Sequence, residues 1–336
     1  MRIIIDAMGG DNAPNAVIDG AFRAATDFDV AVSLVGDEGK IAAYIKEKGY
    51  SNEKVTIVHA SEVIAMDDSP IDVIKNKKDS SMVVAMNMLS KDEGDALVSA
   101  GNTGALVTGS TLIVKRIRNV RRAAIGTLMP TNDGFMLLLD VGANSDCTPQ
   151  FLRQFAVMGS VYMNKLYSLD APKVGLVNIG TEDEKGSDVA VATNKLLKKT
   201  DLNYIGNIEA RDIPAGIADV VVCDGFTGNI ILKLTEGLAK FLFGKVRTVF
   251  KSNIRTKIAA LLVKRKFMEF KKSMDYTEYG GAPLLGLRKP VIKAHGSSDA
   301  NAFYHAIRQA VNYTKSGIIE EIATKVAADK EESTDA

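Results

Sequence analysis

Eight short runs of β-branched and other apolar residues recur along this chain, and they restrict its fold more than any other feature. They fall at 3–5, 30–35, 55–58, 96–98, 125–129, 136–141, 174–179 and 220–223. Between most of them, residues 13–26, 40–48, 103–114, 149–165 and 188–199 carry apolar side chains at helical spacing. Strands alternating with helices build βαβ units, so the expected fold is α/β: a three-layer α/β/α body around a mainly parallel sheet. The chain has 336 residues, about twice the usual length of one domain. It shows no internal repeat and no Pro/Gly/Ser-rich linker, which favours one continuous unit over 1–326. Residues 327–336 are small or charged and are expected to fray.

The strand runs end in polar glycine turns. Asp6 leads into Met8-Gly9-Gly10-Asp11-Asn12-Ala13-Pro14, and Ser99 into Ala100-Gly101-Asn102-Thr103-Gly104-Ala105. Similar turns follow Val141 (Gly142 to Asp146), Ile179 (Gly180 to Gly186) and Cys223 (Asp224 to Asn229). In a parallel sheet such turns emerge together at the carboxyl edge, where open α/β sheets bind ligands. Any one of them is explained by helix capping. Five on one edge exceed what capping requires, and a small anion, most simply phosphate, is the expected occupant because free N–H groups at helix starts attract negative charge.

Several function classes fall away. With 42 Lys and Arg against 41 Asp and Glu, the net charge of +1 gives no global reason to bind nucleic acid. There is no GxGxxG, no GxxxxGK[ST], no HExxH and no GxSxG. Cys147 and Cys223 are too far apart for a CxxC pair, and each reads better as a small buried residue than as a nucleophile. Few cysteines, an acid at position 6 that interrupts any leader, and no apolar run near the roughly 18 residues of a membrane span lead to an expected cytoplasmic location. His295 lies in the polar turn His295-Gly296-Ser297-Ser298-Asp299-Ala300-Asn301-Ala302, before a helix expected to reach about Tyr313 with Ser297 or Ser298 as its cap. A histidine beside free helix N–H groups suits an anion or an oxyanion. His305 reads as structural.

Together these segments resemble the bacterial phosphate acyltransferase family, the acyl-ACP:phosphate transacylases. The resemblance rests on DAMGGDNAP at 6–14, SAGNTGA at 99–105, LDVGAN at 139–144, NIGTEDEKG at 178–186, GNIEARDI at 206–213, CDGFTGN at 223–229, YGGAPLLG at 279–286 and HGSSDANA at 295–302. It implies a fold like the isocitrate and isopropylmalate dehydrogenases, a homodimer and a peripheral association with membrane. It also implies the reaction: acyl-ACP (acyl carrier protein) and inorganic phosphate give acyl phosphate and free carrier, on a route to phosphatidic acid; the missing nucleotide motifs lead to an expectation of no cofactor.

Phosphate carries a negative oxygen at neutral pH, since phosphoesters lose their second proton at about pH 6, so it attacks a thioester without a strong base. A pantetheine thiol resembling cysteine, with a pKa of about 8.5, leaves with little help. Two tasks remain: holding phosphate against the carbonyl and stabilising the oxyanion. The candidates for phosphate are Gly101, Asn102, Thr103 and Gly104, faced by Thr227, Gly228 and Asn229, with Lys185 supplying charge. Asp6 and Asp11 flank the first glycine pair and would orient donors, with a magnesium site as the alternative. His295 is the candidate donor to the oxyanion or the departing sulfur.

Two cationic segments suit the partners. Arg116, Arg118, Arg121 and Arg122, with Lys115, are a candidate dock for an acidic carrier, though they also suit a solvated helix end. Residues 245–272 hold ten Lys and Arg against Glu269 alone, with apolar residues on two helical stripes. They are expected to form a helical hairpin, or an arm packed on its twin, at about 245–278. Leu261, Leu262, Lys264, Arg265, Lys266 and Phe267 are its candidates for meeting an anionic membrane surface. The competing readings are a non-enzymatic membrane-surface scaffold sensing acyl-ACP or phosphate, and an NAD-linked dehydrogenase of the same fold.

Overall fold

The computed structural model describes residues 1–274 and 280–332. Tyr279 and the last positions expected for the arm, 275–278, lie outside the described residues. Eleven strands form one sheet in the order β3-β2-β1-β4-β11-β10-β5-β6-β9-β7-β8. They are β1 (Arg2–Asp6), β2 (Ala31–Gly36), β3 (Val55–His59), β4 (Ala96–Ser99), β5 (Ala124–Thr131), β6 (Gly134–Leu139), β7 (Val174–Asn178), β8 (Tyr204–Glu209), β9 (Val220–Val222), β10 (Ala282–Leu285) and β11 (Val291–Lys293). Seven of the ten pairings are parallel. The apolar runs are strands because both faces of the sheet are covered. Ile3 and Ile5 enter one core while Ile4 enters the other, and all three are fully buried. Leu137 and Leu139 against Leu138 repeat that division in β6.

Helices α1 (Asn15–Asp27) and α10 (Ala300–Lys315) pack on one face and α4 (Ser81–Ser90) on the other, while α2 (Glu38–Lys48), α3 (Pro70–Asn76) and α7 (Asp188–Leu197) lie in the connections after β2, β3 and β7. Helix α5 (Thr103–Gly109) follows β4 and ends in a π-helical turn, Ser110–Val114. Helix α6 (Pro149–Tyr167) starts with proline, which is preorganised for a first turn. The helix after His295 is capped by Asp299, whose side chain accepts from the N–H of Ala302, and not by Ser297 or Ser298 as expected; a carboxylate also complements the helix dipole. Helix α11 (Ile318–Glu332) runs into the segment expected to fray, and 333–336 lie outside the described residues.

One expectation needs correction. The glycine turns do not share a single carboxyl edge. β10 is antiparallel to β11 and to β5, and β5 is antiparallel to β6. Three reversals therefore point β6, β9, β7 and β8 opposite to β3, β2, β1, β4 and β11. β5 begins beside β10, with Ala124 opposite Leu285, then pairs with β6 from Gly126 onward. This offset lets the carboxyl ends of oppositely directed strands meet in mid-sheet.

The basic segment is a hairpin. Helix α8 (Gly225–Lys251) is 27 residues, about 40 Å long, and α9 (Ile254–Ser273) returns along it. Phe267 stacks edge-on with Phe243 and Phe250, at 5.9 Å between ring centroids in each case. The arm therefore starts within a helix that grows out of the β9 turn, well before position 245.

Candidate active site

A cavity of about 280 Å³ opens where the turns after β4, β6, β9 and β11 converge. Its lining includes Thr103, Gly142, Asn229, Lys233, Glu236, Lys293 and His295. The close approach of backbones sets its shape. A Cβ on Gly228 would lie 1.9 Å from the Asp140 carbonyl oxygen, so only glycine lets α8 dock on the β6 turn. A Cβ on Gly9 would lie 2.6 Å from the Gly101 nitrogen, which brings the first turn equally close to the β4 turn.

Lys293, which ends β11, lines the cavity, and it is not among the residues the sequence singles out. Its side chain is buried, and its ammonium donates to the carbonyls of Ala294 (2.5 Å) and Ala100 (3.2 Å). An ammonium has three donors, so one remains for a ligand. Burial, aided by the neighbouring Lys233 charge, lowers its pKa to about 8, against the pull of Asp6 and Asp11. Lys233 and Glu236 lie on the same face of α8 as Asn229, at i+4 and i+7, and pair at 2.9 Å. The signals were available: a lysine closing an apolar strand just before the His295 turn, and a helical spacing that continues from Asn229.

His295 sits beside them. The Ser297 N–H donates to its Nδ1 at 3.2 Å, with the Ser297 hydroxyl at 2.8 Å. An Nδ1 that accepts places the ring proton on Nε2. Burial pushes its pKa below the usual 6.5, outweighing the Glu236 carboxylate, which favours the neutral ring at neutral pH. Asn229 faces Gly142 across the cavity, with 4.0 Å from its side chain to where a Gly142 Cβ would stand.

The remaining candidates divide. Thr103 lines the cavity, whereas the Asn102 side chain caps α5 through Ala105 and donates to the carbonyls of Ala65, Met66 and Asp68. Gly101 packs against Met82 and Gly104 against Pro70. Thr227 is engaged with Asp224, the cap of α8, through both its N–H (2.7 Å) and its hydroxyl (3.0 Å). Asp6 is buried and holds the hydroxyls of Ser81 and Ser99 at 2.6 Å each, which ties the first turn to β4. Asp11 meets the far turn, its N–H donating to the Gly296 carbonyl at 2.8 Å. Lys185 stands in the β7 turn, two strands from β6, outside the cavity lining. Arg116, Arg118, Arg121 and Arg122 lie in the loop after the π-helical turn, roughly 18 Å along the helix from Thr103. Arg122 stacks over Phe151 at 5.5 Å, and the Arg121 N–H donates to Gln154 at 2.8 Å.

The thiols are chemically quiet. Burial raises the Cys223 pKa well above its usual value, and burial with the Asp140 and Asp224 charges pushes Cys147 up to about 12. Neither forms thiolate near neutral pH. Cys223→Ala is accordingly expected to keep most catalytic activity, at a cost of about 1 kcal/mol in stability. Steady-state rates and a denaturant melt check both.

The fold is shared with solved structures of low sequence identity. The chain superimposes on a phosphotransacetylase from Streptococcus pyogenes with a TM-score of 0.64 at 17% identity, covering 94% of each chain. It superimposes on a branched-chain phosphotransacylase from Enterococcus faecalis with a TM-score of 0.59 at 14% identity, covering 94% of this chain and 99% of that one. A 4-hydroxythreonine-4-phosphate dehydrogenase from Klebsiella pneumoniae shares the fold at 0.51 and 10% identity, covering 94% and 99%. The sequence narrows this further. A family model described as "Fatty acid synthesis protein" matches residues 1–321, and the chain belongs to that family of acyltransferase enzymes. It is 50% identical over 329 residues to the phosphate acyltransferase of Bacillus licheniformis, covering 97% of this chain and 98% of that protein. It is 48% identical over 339 residues to the phosphate acyltransferase of Bacillus subtilis, covering all of both.

Proposed function

We propose that the protein transfers the acyl group of an acyl-ACP to inorganic phosphate, releasing acyl phosphate and free carrier for phospholipid synthesis. The observation that carries this reading is a buried Lys293 with one uncommitted N–H, set against Asn229, Lys233 and a neutral His295. Lys293, Lys233 and the Asn229 amide hold the phosphate, with the Thr103 hydroxyl beside it. A phosphate oxygen attacks the thioester carbonyl carbon, forming a C–O bond, and the carbonyl oxygen becomes an oxyanion that accepts the His295 Nε2–H. Collapse of this intermediate breaks the C–S bond, and the carrier thiolate leaves and takes a proton from water. Neither cysteine takes part. Incubating the protein with acyl-ACP, with and without phosphate, and measuring free carrier tests the reading: release must depend on phosphate. Release that needs NAD would support the dehydrogenase, and none under any condition would support a scaffold.

Residues 1–326 act as one unit in this scheme. The carrier docks on Arg116, Arg118, Arg121 and Arg122, and the hairpin meets an anionic membrane. Supporting the hairpin's role, Leu261 and Leu262 are 72% and 82% exposed beside Lys264, Arg265 and Lys266, whereas Phe267 is turned inward against α8. No helix among the described residues is long and apolar enough to cross a membrane. The exposed stripe Phe226, Ile230, Leu234, Leu238 and Phe241 along one side of α8 suits a second copy of the chain, as in a homodimer. Changing Lys264, Arg265 and Lys266 together to Glu reverses six units of charge. At about 1 kcal/mol per basic residue, this is expected to abolish co-sedimentation with anionic vesicles while leaving transfer in solution nearly intact. Wild-type sedimentation of that variant would remove the arm as the anchor.

A further inference from the structure

A second cavity, of about 250 Å³, adjoins the reaction cavity and shares Leu232, Glu236 and His295 with it. Beyond the Lys233–Glu236 pair its character changes. Its walls are Met129 and Pro130 from β5, Leu232, Thr235, Ala239 and Phe243 from α8, and Met274 just past α9, with Lys271 also in the lining. Met129 is buried, while Met274 is 36% exposed. The cavity therefore runs from the histidine, along the inner side of α8, to the root of the hairpin.

We infer that this second cavity holds the fatty acyl chain of the thioester substrate. The inference rests on the transferase reading and extends it. Three features select the occupant. The cavity adjoins the place where the carbonyl must sit, since His295 lines both. Its lining past Glu236 is mainly apolar despite Thr235 and Lys271, and it includes two methionines, side chains that adapt to a flexible alkyl chain. Its far end meets the hairpin, so a chain lying in it is directed toward the surface where a lipid product would leave. Ala239 has the smallest side chain among the apolar residues of the wall, so a larger group there takes the space of the chain.

Each buried methylene contributes about 0.8 kcal/mol, about a fourfold change in kcat/KM. Ala239→Phe, which displaces several methylenes, is expected to lower the ratio of kcat/KM for a sixteen-carbon over a four-carbon acyl-ACP by tenfold or more. A ratio within twofold of wild type in a folded variant would overturn the inference. Wild-type protein supplies a second measurement that does not depend on the variant folding: a sixteen-carbon acyl-ACP with a diazirine near the chain terminus, photolysed on the enzyme. Adducts on peptides holding Met129, Phe243 or Met274 support the assignment, and adducts confined to other segments overturn it. The transferase reading is judged separately, by whether wild-type release from the four-carbon thioester requires phosphate.

Discussion

Lys293→Met is expected to raise the phosphate KM by about 10- to 150-fold, the range given by losing one hydrogen bond to a charged group at about 1.5–3 kcal/mol. The fold should survive. A lysine held at about 8 in the protein against about 10.4 unfolded binds fewer protons folded than unfolded between those values. Its contribution to stability is thus unfavourable below pH 8 by about 3 kcal/mol, and the penalty fades as pH rises toward 10.4. Removing the charge relieves that penalty while leaving the Ala100 and Ala294 carbonyls without their donor, and the two effects roughly offset. The same pKa gives a kinetic signature. In the free enzyme kcat/KM for phosphate should fall about tenfold per pH unit above pH 8 as Lys293 deprotonates, and that limb should vanish in Lys293→Met. Lys293→Arg is not a rescue, because the buried site fits a compact ammonium better than a planar fork. An unchanged phosphate KM with an unchanged pH profile would take Lys293 out of the site.

His295→Ala is expected to lower kcat by about 100-fold or more, the usual effect of losing one oxyanion donor, with the phosphate KM little changed. His295→Gln should recover part of the loss because its amide still offers an N–H. The neutral ring makes a further point. Burial holds its pKa below 6.5, so kcat should not decline between pH 6.5 and 7.5, where an imidazolium donor would be lost. A loss confined to KM would reassign His295 to phosphate binding.

How far the sequence foretold this arrangement depends on which kind of interaction decided each element. β1 and β2 were legible because an uninterrupted apolar run suits a strand covered on both faces. β10 and β11 were not: four and three residues long, with prolines at 283 and 290, they carry too little pattern to stand out, and only their neighbours in the sheet make them strands. They join the two halves of the sheet through β10, while the reversal that turns the second half around is the β5–β6 pairing, whose antiparallel sense the apolar runs at 125–129 and 136–141 do not reveal. In the site, Thr103, Asn229 and His295 were identified from glycine-rich turns and do line the cavity. Asn102 and Thr227 come from the same turns, yet their side chains serve as cap and cap partner, and sequence offers no distinction between a capping hydroxyl or amide and an open one. Lys293 escaped notice because a buried lysine is recognised by its surroundings and not by its neighbours in the chain. Phe267 shared a stripe spacing that suited lipid, and the return of α9 along α8 turned it inward.

In the proposed reaction phosphate itself attacks the thioester. Acyl-ACP and ¹⁸O-labelled phosphate, incubated with the protein without nucleotide or added metal, test it directly. The expected result is acyl phosphate carrying the full label of the phosphate, free carrier in equal amount, and no consumption of acyl-ACP when phosphate is left out. Equal consumption without phosphate, or an acyl-enzyme isolated on Cys223 or Cys147, would contradict it.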